Sequence, residues 1–509
     1  MAASCPSQHN PSTQMLARLS PEILSLILDQ LRALDQPSVF VLRLVCRAFD
    51  ALATPVAYRA IKLNRSVLDP RADRLFPRLL NNVFRFTSDV TIRSDLNSSD
   101  VKRVLAKIKR LSLIRWRFVP RGNGVPRLWL PSDVLDRDQM LQNGTRIAIE
   151  NLPLGGVQHD LDESCFHPLL TRHLVSLKLS SSNPPLTTRS DSLRRLILQS
   201  PRLRTMHYRD LGMGTSFHFA GAERLPPVVD LALQSYNWDH TPDEVGRHWD
   251  FSQIQSLELA NMPVSSFLQS VSLGDFARLH TLKVEDYGGH LQDTRSMATL
   301  RLCDLVRDHI LALEVLEMTC HTKLFALEAI GRHGDSLRVL RFRDHVGFED
   351  DDKRCPTLGP ADLARLAARL RHVHSLELDM DAAPCEAGGF VDALCSFESL
   401  HSLTLHVQTR IRPSDPVDPG TDRDYEAALD VFGRLIRRRA QKPWRRITIN
   451  VGGWRRAMVR RMGYGWKRHN AQGVFAERCF RLERNERGRY GVHEEAAYES
   501  PRCRSPVEL

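Results

Sequence analysis

The residues best equipped for chemistry lie toward the C-terminal end. In "RLIRRRAQKPWRRITINVGGWRRAMVRRMGYGWKRHN" arginine is interleaved with Trp444, Trp454, Tyr464 and Trp466. Guanidinium groups beside aromatic rings suit phosphate contact combined with base stacking. The same composition suits a terminal cap whose tryptophans pack inward and whose arginines are solvated. A nuclear import signal or a site for an acidic protein partner are further readings. From Arg434 to Arg489 there are 18 Lys/Arg against 3 Asp/Glu, leaving 53 against 57 over the rest of the chain. The formal charge of +11 therefore belongs to this region and says little about the remainder.

Other reactive types form no constellation. The ten cysteines are scattered without a C-x-x-C pair, which argues against a zinc site or a disulfide framework. His372 and His374 sit two apart at the start of a predicted strand with no metal-spaced partner, and read as ordinary. The phosphate-cradling G-x-G-x-x-G and G-x-x-x-x-G-K-[ST], the nucleophile elbow G-x-S-x-G and the zinc motif H-E-x-x-H are all absent. No metal, cofactor or catalytic residue is expected. An enzyme of unfamiliar type is the weakest of the three function classes considered.

The elements that would carry these side chains begin with "LARLSPEILSLILDQLRALDQPSVFVLRLVCRAFDALATPVAYRAI". Ser20 is a good N-cap, Pro21 suits the first helical position, and Glu22 stands where the helix dipole favours an anion. Leu19 and Leu24 occupy the positions of a hydrophobic staple. Ile23, Leu24, Ile27, Leu28 and Leu31 recur at helical spacing as one apolar stripe. A second helix is predicted from about Asp35-Gln36-Pro37, carrying Val39, Leu42, Val45 and Phe49, with Pro55 ending it or opening a third. So small a core is marginal in isolation, and the leucine-rich faces left over suit a partner.

"LSPEILSLIL" followed by "LRLVCRAFDALATPVAYRAI" resembles the F-box family, with its L-x-P-E-[IL]-[IL], spacer and V-C-[KR]-x-[FW]. The resemblance implies docking on a Skp-type adaptor and, through it, on a cullin. It assigns that contact to Leu19, Pro21, Glu22, Ile23, Leu24, Ile27 and Leu28, and to Leu42, Val45, Cys46, Arg47 and Phe49. Cys46 is read as packed rather than reactive. Pro37 departs from the family, where many members open the second helix with a leucine-aspartate pair. A helical cap on a repeat protein would need similar stripes but not the P-E pair or V-C-R-x-F.

Beyond Arg172 a six-residue pattern recurs, with an apolar first residue and an L-x-L-like ending. Copies are "LVSLKL", "LRTMHY", "IQSLEL", "LHTLKV", "LEVLEM", "LRVLRF", "VHSLEL" and "LHSLTL", with "VVDLAL" and "WRRITI" degenerate. Most copies are about 24 to 36 residues apart, within the leucine-rich-repeat range. L-x-L places both leucines on one face of a strand, and stretches such as "LARLAARLRH" and "ALEAIGRHG" can cover it as helices. "VTI", "LSLI" and "RIAIENL" read as divergent earlier strands. The expected fold is α/β: a small N-terminal helical F-box followed by a curved β-α leucine-rich-repeat solenoid with a parallel sheet. The expected boundaries are 1–14 disordered, 15–63 F-box, 64–171 linker and divergent early repeats, 172–450 irregular leucine-rich repeats, and 451–509 basic cap and disordered tail.

The middle residues of L-x-L are Lys178, His207, Glu258, Lys283, Glu317, Arg341, Glu377 and Thr404. From Glu258 to Glu377 the signs alternate, which predicts a cross-strand ion-pair ladder. Arg209, Arg343, Asp379 and His406 flank that row and are candidates for a substrate face. "GFEDDDKRCPTLGP" and "HVQTRIRPSDPVDPGTDRDYEAAL" read as loops, the second leading into a final helix. The start "MAASCPSQHNPSTQ" lacks a secretory pattern, and no apolar run is long enough to span a membrane. The chain is therefore expected in cytoplasm or nucleus. The resemblance implies the substrate-recruiting subunit of a ubiquitin ligase, with an unidentified protein substrate on the repeats. The alternative is a leucine-rich-repeat scaffold whose basic end contacts nucleic acid or an acidic partner.

Overall fold

The computed structural model describes residues 19–119, 129, 131–152, 168–180, 190–210, 216–286, 292–344, 357–381, 388–411, 422–452, 467–471, 477–485, 487–495 and 507–508. It is an α/β protein with a mostly parallel sheet and divides into two compact units, Met1–His207 and Tyr208–Leu509. Among the described residues no helix is long and apolar enough to cross a membrane.

The first unit opens with three helices, α1 (Pro21–Leu34), α2 (Gln36–Leu42) and α3 (Arg47–Tyr58). Ser20 caps α1 by accepting from the Ile23 N–H, with Pro21 behind it where a missing N–H costs nothing. α3 runs through Pro55 instead of breaking there. A proline forfeits one helical hydrogen bond, and Val56, Ala57 and Tyr58 just beyond it are buried, which offsets that loss. The helix predicted from Gln36 onward is thus two, broken at Arg43–Cys46.

Strands follow at once: β1 (Ala60–Lys62), β2 (Asp89–Arg93), β3 (Leu113–Arg117), β4 (Arg146–Leu152) and β5 (Leu174–Ser180). Each pairs in parallel with the next in sequence. The β4–β5 register shifts beside Asn151, whose φ of 59° is tolerated by asparagine better than by most side chains. Thr205–Arg209 (β6) spans the boundary between the units.

In the second unit β7 (Asp230–Gln234), β8 (Ser256–Met262), β9 (Thr281–Asp286), β10 (Val315–Cys320), β11 (Val339–Asp344), β12 (Ser375–Met380), β13 (Ser402–Val407) and β14 (Arg446–Val451) form a parallel succession in chain order. Parallel neighbours need a crossover, and helices such as Pro360–Arg369 and Gly389–Cys395 supply it. Every six-residue pattern read from the sequence contributes a strand. The apolar residues of L-x-L are its core: Leu316, Met318, Leu340, Phe342, Leu376, Leu378, Leu403 and Leu405 are at most 1% exposed. Each such side chain contributes roughly 1.5–3 kcal/mol relative to exposure.

The parallel run ends at β14, to which β15 (Arg478–Arg484) and then β16 (Tyr490–Glu495) add antiparallel. Val507–Glu508 pairs with Gly491–Val492. The expected disordered tail therefore meets ordered strand at both of these places. The N-terminal segment to Arg18, residues 347–356 and 412–421 of the two charged loops, and Trp454, Tyr464 and Trp466 lie outside the described residues.

Candidate functional site

The three helices enclose a core of Leu24, Leu28, Val39, Ala53, Val56 and Ala57. Arg59 holds Asp29 at 2.6 Å, and Arg43 joins Asp50 at 2.9 Å while lying over the Tyr58 ring, so polar contacts fasten the helices around few apolar residues. Glu22 is fully solvated, and hydrogen bonds to its own backbone and to the Ser20 hydroxyl hold its carboxyl below the usual range.

What the core leaves outside is largely apolar. The single stripe predicted on α1 is two: Leu24 and Leu28 face inward, whereas Ile23, Leu26 and Ile27 are 46%, 62% and 45% exposed. Phe40, Val41, Leu44 and Val45 are also exposed, Leu44 to 85%. So many large apolar side chains within one short helical segment exceed the scattered exposure of an ordinary surface. Of the residues named from the motif, Leu19, Pro21, Glu22, Ile23, Ile27, Val45, Cys46 and Arg47 lie at the surface, and Leu42 and Phe49 are half-buried. Cys46 was expected to be packed. It is the N-cap of α3, follows a hydrogen-bonded turn, and is exposed.

The sheet of the second unit carries the alternating charges. Pairing places Glu258 beside Lys283, Lys283 beside Glu317, Glu317 beside Arg341 and Arg341 beside Glu377. Lys283 meets Glu317 at 2.8 Å, Arg341 meets Glu377 at 3.1 Å, and Arg209 reaches Glu258 at 3.0 Å. The ladder expected from the sequence is present, and Glu258, Lys283, Glu285, Glu317, Thr319 and Arg341 line a shallow depression along it. Burial opposes ionisation of Glu377, yet the His406 hydrogen bond at 2.8 Å and the Arg341 charge hold its carboxyl below the ordinary range.

The flanking residues proposed for a substrate face separate. Arg209 is exposed. Arg343 and Asp379 are instead a buried ion pair at 3.1 Å, and His406 is buried against Glu377. The reason lies in the strands: in β11, β12 and β13 burial alternates over the first four residues and then covers both faces. Period-2 reasoning fails at that end, and these three residues are internal.

The basic end resolves similarly. Trp444 is fully buried under the Arg439 guanidinium, which donates to the carbonyls of Phe397, Glu398 and Leu400. Arg478 is buried between Glu494 and Asp422, each at 2.7 Å, and stacks on Phe480 at 4.6 Å. Arg434, Arg438, Arg446 and Arg481 each pair with a carboxylate. These contacts are those of a structural cap.

Sequence reading missed a row at the second position of the repeat pattern. Gln255, His280, Glu314, Arg338, His374, His401 and Arg445 are joined edge to edge by backbone hydrogen bonds of 2.8–3.1 Å. The signal was present in "VHSLEL" and "LHSLTL", where histidine holds the same place in consecutive copies. No model of a known protein family matches this chain, and no curated protein matches it.

Proposed function

We propose that this chain is a non-catalytic adaptor of the F-box and leucine-rich-repeat type. In this reading α1–α3 dock a Skp-type subunit, linked through it to a cullin, and the strand-helix repeats hold a protein substrate. The chain then supplies proximity, raising the effective concentration of a substrate lysine near a charged conjugating enzyme. The observation that carries the reading is the exposed Ile23, Leu26, Ile27, Val41 and Leu44 surface on helices that bear the L-x-P-E and V-C-R-x-F residues. The repeat geometry adds support, because consecutive β-α units with one in-register charged row suit a leucine-rich-repeat array. The alternative, a scaffold that grips nucleic acid through its basic end, has less support, since the best-placed arginines there already hold carboxylates or carbonyls.

The test separates surface from core. Ile23 and Ile27 are each about half exposed, so completing their burial in a complex is worth about 1 kcal/mol apiece. Ile23→Ser/Ile27→Ser should weaken co-purification of a Skp-type adaptor about thirtyfold while leaving thermal unfolding unchanged. Leu28→Ala should instead destabilise the helices. Equal adaptor recovery with the native chain and the double-serine variant would refute the docking assignment.

A further inference from the structure

Two cross-strand arrangements occur in the same sheet and follow opposite rules. Along the middle of the strands, charges alternate from Glu258 to Glu377 and neutralise one another. At the edge where the strands begin, four consecutive positions are Arg338, His374, His401 and Arg445, all able to carry positive charge. Their backbones are fixed in register: His374 N–H donates to Arg338 O at 2.9 Å, His401 to His374 at 3.1 Å, and Arg445 to His401 at 2.8 Å. Neighbouring members are thus about 4.8 Å apart along the row. Among the described residues neither Arg338 nor Arg445 has a carboxylate partner.

The two imidazoles stack face to face, 5.2 Å between centroids and 2° from parallel. Each buries its Nδ1 without a hydrogen-bond partner. A buried N–H lacking an acceptor is costly, so each neutral ring keeps its proton on Nε2. The pair then presents two parallel N–H donors on adjacent strands, with a guanidinium-bearing residue on either side.

The surrounding charges oppose protonation of His401. Arg445 and His374 face His401 from the neighbouring strands, and Arg439 faces it from the end of the helix Arg423–Arg438. Burial first, and then these three groups, lower the His401 pKa. Asp335 precedes Arg338 on the turn before its strand, and two further acids are engaged or set to one side. Glu398, on the turn before His401, has its carboxylate 3.6 Å from Lys442. Glu314 lies beyond Arg338 and closes that end of the row. Arg371 and His372, just before His374, add further positive or titratable character.

We propose that Arg338, His374, His401 and Arg445 form a receiving site for a tetrahedral oxyanion of the phosphate-monoester class. Two oxygens of one anion can each accept from one Nε2–H, and the flanking guanidinium groups supply permanent charge. An acidic residue at one end and a span of four strands favour a compact dianion over a long polyanion. Protonation puts an N–H on the buried Nδ1 of each ring, a cost that the charge of a bound dianion offsets, so binding and histidine protonation strengthen each other. The proposal does not depend on the docking half of the adaptor reading, because none of its residues lies on α1–α3 and its test needs no Skp-type subunit.

The experiment is calorimetric titration of the full chain with sulfate and with inorganic phosphate at about pH 6 and about pH 8, spanning the histidine range. Sulfate keeps its charge across that interval, so any pH dependence with it comes from the protein. One anion per chain is expected, at least tenfold tighter at the lower pH and with proton uptake. His374→Gln/His401→Gln should erase the pH dependence, each single glutamine variant should halve the proton uptake, and Arg338→Gln/Arg445→Gln should weaken binding at both pH values. A phosphoserine peptide run beside its unphosphorylated form assigns the source. Tighter binding than inorganic phosphate supports a protein-borne monoester, and equal binding supports the free anion. No binding at either pH, or sulfate binding that none of these variants alters, would overturn the site.

Discussion

Replacing Arg478 by methionine should destabilise the C-terminal end of the sheet by about 3–5 kcal/mol, the cost of removing one member of a buried ion pair. The figure follows from how completely this guanidinium is engaged. Nε and Nη2 donate to the two Glu494 oxygens at 2.7 and 2.9 Å, and Nη1 donates to Asp422 at 2.7 Å. The Arg478 side chain is 3% exposed, and burial opposes its charge while Glu494 and Asp422 raise its pKa. Asp422 also caps the helix Arg423–Arg438 by accepting from the Tyr425 N–H at 3.1 Å, so the substitution strands a carboxylate at a helix start. Urea unfolding, followed through the buried Trp444, measures the loss, and hydrogen exchange over Arg478–Glu495 locates it. The deficit should persist at about 1 M salt, because buried pairs are poorly screened. Asp422→Asn combined with Arg478→Met should show a coupling of more than about 1 kcal/mol in a double-mutant cycle. A loss below about 0.5 kcal/mol would mean that Arg478 is not holding the cap, and the region would again be open to other uses.

Two further outcomes are expected. His333 is buried, accepts from the Leu313 N–H through Nδ1 at 3.3 Å and binds Val306 O through Nε2 at 2.9 Å, an arrangement that only the neutral Nε2–H ring satisfies. Burial lowers its pKa, so the unfolded chain takes up a proton first. Its contribution to stability is complete above the ordinary histidine value of 6.5 and falls as pH drops below it toward the folded value. Thermal unfolding of native chain and His333→Gln, measured from neutral to mildly acid pH, should show a flatter acid limb in the variant, and identical slopes would contradict this account. Cys46 is the exposed thiol among the described cysteines, beside the apolar surface of the N-terminal helices. Iodoacetamide should modify it before Cys303, Cys320 or Cys479, and a bound Skp-type adaptor should slow the reaction. Unchanged labelling in the presence of a saturating adaptor would place Cys46 outside the contact.

The strands were legible because their signal is local: L-x-L buries two leucines wherever it occurs, and even the degenerate "VVDLAL" and "WRRITI" contribute one. The ladder was legible for the same reason, once parallel pairing in chain order was assumed. Arg343, Asp379 and His406 were misplaced because burial on the second face depends on elements distant in sequence, to which a period of two is blind. The α1 stripe was misread because five apolar residues at helical spacing do not reveal how narrow a three-helix core is; only Leu24 and Leu28 fit inside it. The antiparallel strands β15 and β16 were hidden beneath their arginines, whose charge suggested solvent although Arg478 is buried. The His374–His401 pair went unread because its members lie 27 residues apart and meet only across the sheet.

The alternating row also constrains how a chain of this kind can change length. Deleting the single unit that carries β10 would set Lys283 against Arg341, and duplicating it would set Glu317 against its own copy. Either change replaces an attraction by a like-charge contact, at a cost of about 0.2–1 kcal/mol for each mismatched neighbour. Removing or adding two adjacent units restores the order of signs. The sheet therefore has a parity: its central units can be gained or lost in pairs with the charges still matched, and singly only where a second substitution inverts a sign.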